Sequence, residues 1–189
     1  MQYTFYLKKE VNKKIIFFYS SSSSSPLVLL QVEVAITLGK IVQNNTQTQK
    51  LLAEQTKFRV TELLHHLANK EETVRHKAGM ALATFAYNNT SQQYAIKNAG
   101  GIALQSFEEF LGSENELYQA HAAFQIIVLA RVIDSDQVNL TARGVELLVQ
   151  LLRSEQDSTQ ILAASLTASL GHTRAGVPAA LITAGRRSY

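Results

Sequence analysis

The sequence predicts an all-α solenoid built from three-helix repeats of about 42–44 residues. Three observations carry that reading. Leu30 to Thr46 superposes on Val74 to Thr90 at an offset of 44, both ending in Asn-Asn-Thr, with Val34, Leu38 and Ile41 falling on Ala78, Leu82 and Phe85. A spacing of four then three lines one face of a helix. A second phrase, Ala99-Gly100-Gly101-Ile102, returns as Ala142-Arg143-Gly144-Val145 and, shortened, as Ala184-Gly185. No stretch sustains the two-residue alternation of a half-buried strand.

Residues 1–26 stand apart from this pattern. They end in the serine run Ser20 to Ser25 and Pro26, and read as a low-complexity, disordered leader. Lys13-Lys14 followed by Ile15-Ile16-Phe17-Phe18-Tyr19 imitates a signal peptide. Its apolar run is too short, because a secretory core needs about 7–15 residues. Residues 15–32 are uncharged, but serines and a proline occupy their middle, so a membrane span is not expected.

The repeats occupy 27–189. A third helix over 28–44 comes first, without the two helices that should precede it. Full repeats follow over 46–88 and 90–132, then a shortened one over 136–171 and the start of another over 174–189. Each unit reads as a short helix, a glycine break, a middle helix, a polar turn and a long helix. Glycine reaches the left-handed conformation that stops the first helix. Val145, Leu148, Leu151 and Leu152 make the clearest middle-helix stripe, and Asn, Ser and Asp in the turns provide helix starts. The long-helix stripe continues through Ala122, Ile126 and Leu129 to Ala163, Thr167 and Leu170.

Composition then narrows the function. The chain has 189 residues, 46% of them apolar, and no cysteine, which removes disulfides, thiol nucleophiles and thiolate zinc sites. With no secretory signal, a reducing, cytoplasmic setting is expected. The net charge of +3 belongs entirely to residues 1–31. The rest is neutral, running +3 over 32–100, −6 over 101–158 and +3 over 159–189. A phosphate-backbone binder needs Lys and Arg gathered on one face. Glu108, Glu109, Glu114 and Glu116 interrupt any such face, so no nucleic-acid partner is expected.

Neither catalysis nor a cofactor is expected. His65 and His66 are adjacent and diverge by about 100° on a helix, so they cannot share a metal. His76 and His121 occupy nearly equivalent repeat positions, which points to repeat structure before ligands. Glu71-Glu72 and Glu108-Glu109 read as solvated turns or helix starts. Gly100-Gly101 lacks the surroundings of a phosphate loop.

Gly144-Val-Glu-Leu-Leu-Val-Gln-Leu-Leu-Arg-Ser-Glu155, followed by an Ala/Leu-rich helix, resembles the armadillo repeat, as does Ala95-Ile-Lys-Asn-Ala-Gly-Gly-Ile102. The resemblance covers 28–189 and implies a right-handed armadillo-type superhelix whose third helices line a concave groove for an extended peptide. Carried onto this sequence, the groove row is Glu33, Thr37, Lys40 and Asn44, then Lys77, Thr84 and Asn88, then His121, Gln125 and Val128. Lys40, Asn44, Lys77, Thr84, Asn88, His121 and Gln125 are its candidate contacts.

Nuclear-import adaptors of the family carry a ladder of Trp and Asn. Here Ile36/Lys40, Met80/Thr84, Phe124/Val128 and Ser165/Ser169 stand in those places, which argues against reading basic localisation signals. The expected function is a non-enzymatic scaffold that binds a peptide or protein partner in the groove. The alternative is a structural spacer or truncated fragment with no site of its own. Neither end carries a polar cap, so self-association through the ends is expected.

Overall fold

A computed structural model describes residues 25–45, 47–50, 60–173 and 176–187. Of the leader expected over 1–26, residues 1–24 lie outside the described residues, as does most of the first helix of repeat 46–88, whereas Ser25 and Pro26 belong to a helix.

The first long helix, α1, runs Ser25–Val42. Pro26 sits in its first turn, where the missing N–H would have no helical partner, so the helix begins slightly before the expected 28. There follow α2 (Val60–His66), α3 (Glu72–Ala86), α4 (Thr90–Asn98), α5 (Gln105–Leu111), α6 (Glu116–Leu129), α7 (Gln137–Leu151), α8 (Asp157–Leu170) and α9 (Gly176–Arg187). Among the described residues there is no strand, only the isolated bridge between Ile102 and Ile133. The third helices α1, α3, α6 and α8 pack side by side, and α2, α4, α5 and α7 pack against that layer.

Polar residues in the turns start several helices. Asn89 accepts from Gln92 N at 3.2 Å, Asn115 from Leu117 N at 3.0 Å and Asp136 from Asn139 N at 2.8 Å. Such a cap is worth about 1 kcal/mol. Apolar stripes supply far more. Ala78, Leu82, Phe85, Ala122, Ile126 and Leu129 are all buried, at about 1.5–3 kcal/mol for each large side chain. In the first long helix the expected stripe is rotated. Val32, Ala35 and Val42 are buried, whereas Ile41 is 63% exposed. The face turned to α3 is the one carrying Ala35 and Gly39, whose small size lets the two helices approach closely.

The glycine phrase has two different outcomes. At 100–101 the break forms as expected, with φ of 109° at Gly100 and 73° at Gly101. Gly101 N donates to Ile96 O at 3.0 Å, and Ile102 N then donates to Val132 O at 2.9 Å, fastening the turn to the next repeat. At 143–144 no break occurs, because α7 runs unbroken through both residues. Arg143 stands where Gly100 stands, and a side chain disfavours the left-handed step that the break needs. Gly144 serves packing instead. A Cβ there would lie 2.6 Å from Ile127 Cγ1 and 2.9 Å from Ala123 O on α6. Helix α9 likewise continues through Gly185.

Candidate functional site

The third helices bring the sequence-derived row together, but unequally. Lys40, Asn44 and Asn88 are exposed, Lys77 and His121 are half-buried, and Thr84 and Gln125 are buried at 4% and 0% exposure. The two buried residues therefore line no open surface. Each faces a glycine on the neighbouring helix. Thr84 Oγ1 occupies the space where a Cβ on Gly39 would stand, and a Cβ on Gly79 would lie 2.6 Å from Gln125 Oε1. The notches let α1 meet α3, and α3 meet α6, so closely that polar side chains expected in the groove become interhelical filling. Thr84 turns its hydroxyl back to Ala81 O at 2.9 Å. Gln125 donates to His76 O at 3.4 Å across the helix interface.

Lys77 forms an ion pair with Glu33. His121 lies 5.0 Å from His76 between ring centroids, in a cluster with Tyr118, stacked on His76 at 4.3 Å, and Phe110. Burial pushes both imidazoles down to about 4. The neighbouring His121 and Lys77 depress His76 further, while Lys40 and Lys77 act on His121. His76 Nε2 and His121 Nδ1 are buried without a hydrogen-bond partner among the described residues. Two neutral imidazoles beside an aromatic pair form a packed core element, and no group of three metal-ligating side chains converges among the described residues. Of the carboxylate pairs, Glu109 is taken by Arg75 in a two-pronged contact at 2.7 and 2.9 Å that ties α5 to α3.

The C-terminal ends of the third helices meet at Asn88. Asn44 and Asn88 both have positive φ (60° and 48°), a conformation that asparagine tolerates at a helix end. Asn88 Nδ2 donates to Asn44 Oδ1 at 3.2 Å and to His172 O at 2.9 Å. Beside it the Tyr87 hydroxyl donates to Ser169 O. Helices α3 and α8, two repeats apart, are thus joined directly at this edge.

A cavity of about 350 Å³ opens beside the junction, rimmed by Asn88, Thr90, Gln93, Arg131, His172 and Thr173. Another, of about 690 Å³, is walled by Glu116, Glu146, Arg153 and Glu155 where α6 starts and α7 ends. Sequence reasoning missed Arg131 and His172. Both lie just past a third helix, and the repeat steps of 44 and 41 relate Tyr87, Arg131 and His172. Extending the register beyond the helix ends would have found them.

Comparison with known proteins agrees with this architecture. The chain is 46% identical over 157 residues to the ankyrin and armadillo repeat-containing protein of Homo sapiens, and 40% identical over 161 residues to that of Mus musculus. The alignments take in 82% and 85% of the chain but only 11% of either relative, so the chain spans about a tenth of their length. No protein-family model matches. Among solved structures, an engineered protein at 26% identity superposes with a TM-score of 0.52 over 93% of this chain and 68% of its own. A designed armadillo repeat protein at 21% identity does so at 0.51, over 92% of this chain and 70% of its own. Among the described residues no helix is long and apolar enough to cross a membrane.

Proposed function

We propose, from the premise that the chain is an armadillo-type solenoid, that it is a non-enzymatic scaffold binding a peptide or protein partner along the third helices. One observation carries the reading: Lys40 near the end of α1, Asn44 just past it and Asn88 just past α3 stay exposed, with half-buried Lys77 on α3 and His121 on α6. Asn44 and Asn88 recur at the 44-residue step, and amide and ammonium groups suit the main chain and carboxylates of an extended peptide.

The test compares proteins that co-purify with the wild-type chain and with Lys40→Glu/Lys77→Glu. Partners held by the third-helix face disappear from the double variant, while a Glu155→Ala control keeps them. Identical partners from all three would overturn the assignment. A second reading, a spacer without a site of its own, is favoured by the burial of Thr84 and Gln125, which shortens the open row. That reading expects no partner that depends on this face.

A further inference from the structure

We infer that the cavity at the junction of the third-helix ends is a binding site for an acidic side chain of a peptide partner. The inference rests on the scaffold reading and moves its anchor from the middle of the row to the edge. In the middle, Thr84 and Gln125 are used up between helices, and Lys77 is neutralised by Glu33. At the edge there is a cavity of about 350 Å³, of the size that accepts a side chain and its flanking backbone.

The hydrogen-bond inventory of the rim gives the chemistry. Its amide N–H groups are spent except for one on Gln93. Asn88 Nδ2 donates to Asn44 and to the His172 carbonyl, and Gln93 Nε2 donates to Ala86 O at 2.9 Å. The Thr173 hydroxyl donates to Leu170 O at 2.6 Å. Helix-end carbonyls that would repel an anion are thereby covered: Ala86 O, Leu170 O and His172 O each already accept a bond.

What remains on the rim is cationic or ready to donate. The Arg131 guanidinium has no carboxylate partner among the described residues, and His172 and Thr90 line the same cavity. No Asp or Glu lines the cavity. Guanidinium binds carboxylate through two parallel N–H bonds. Gln93 Oε1 remains to accept, which suits the main-chain N–H of the same peptide residue. Ile127 and Val128 of α6 form an apolar floor for its methylenes. The donors and the floor together fit Asp or Glu within an extended segment better than a free ion.

The experiment titrates the whole chain with fluorescein-labelled hexaglutamate followed by anisotropy, with hexalysine as the opposite-charge probe. Hexaglutamate is expected to bind, more weakly as salt rises, and hexalysine is expected not to compete. Arg131→Glu is expected to weaken hexaglutamate binding at least tenfold and Arg131→Lys severalfold, because one ammonium cannot replace the fork. Lys40→Glu/Lys77→Glu should change it less than twofold. Loss in the lysine variant with none in Arg131→Glu overturns the cavity assignment and leaves the scaffold reading standing. Absence of hexaglutamate binding to the wild-type chain overturns the cavity assignment outright. Inorganic phosphate competing at concentrations below those of acetate would replace the carboxylate by a phosphorylated side chain. Arg131 is exposed, so circular dichroism should show all variants folded.

Discussion

Asn88, just past α3, donates its side-chain amide to the main-chain carbonyl of His172, just past α8, at 2.9 Å. The bond joins third helices that are two repeats apart, where a solenoid with contacts only between neighbours would leave a gap. With the Tyr87 hydroxyl on Ser169 O, it closes the row of third helices at one edge.

Removing that junction should loosen α8 before it unfolds the chain. A neutral hydrogen bond contributes about 0.5–1.5 kcal/mol net, so Tyr87→Phe and Asn88→Ala should each destabilise by about that much. Amide hydrogen exchange is the direct reading. Protection in α8 should fall in the double variant while α3 holds, and unchanged protection in α8 would remove the junction's structural role.

Gly144 and Gly185, both helical, differ in the space around them. Gly144→Ala drives a methyl into Ile127 and the Ala123 carbonyl, and should cost about 1–3 kcal/mol in urea unfolding. A Cβ on Gly185 meets nothing within 4 Å, so Gly185→Ala should stabilise α9 by up to about 1 kcal/mol. Equal effects at the two sites would refute the packing role assigned to Gly144.

Acid should destabilise the protein through His76 and His121. Their folded values of about 4 lie below the ordinary 6.5, so the unfolded chain takes up protons first as pH falls. The stability from keeping them neutral is complete above pH 6.5 and is lost progressively down to about pH 4. Each unit of separation is worth about 1.4 kcal/mol. His76→Gln/His121→Gln should flatten the profile of unfolding free energy across that window. A variant that keeps the wild-type slope would assign it to other groups.

Gln125 is buried with its Oε1 unpartnered among the described residues. Gln125→Met removes this unpartnered oxygen, whose burial costs about 1–3 kcal/mol, and loses only the long 3.4 Å bond to His76 O, worth about 0.5–1.5 kcal/mol net. Gln125→Met should therefore change the urea midpoint little or raise it, and should leave partner binding intact. A loss of binding at unchanged stability would place Gln125 at a ligand after all.

The repeat period, helix positions and the stripes of α3 and α6 were legible because they depend on near neighbours in sequence. Ala78, Leu82 and Phe85 follow helical spacing, and Gly100-Gly101 ends a helix by its own backbone freedom. The continuous α7 was half legible. Arg143 in place of a second glycine already removed the break, whereas Gly144's closeness to Ile127 depends on a partner helix.

Which polar residues of the row stay exposed was not legible. Thr84 and Asn88 are four residues apart, yet Thr84 is buried within α3 and Asn88, just past its end with φ of 48°, is exposed. By itself the sequence determined an all-helical array of roughly 43-residue repeats and a neutral, cysteine-free body, because periodicity and composition are local properties. Only the tertiary structure decided that Gly39 and Gly79 draw the third helices together, that Thr84 and Gln125 fill the notches, and that Asn88, Arg131 and His172 meet at one edge. The physical reason is that interhelical distance sets burial, and it depends on side chains 44 to 84 residues apart in the chain.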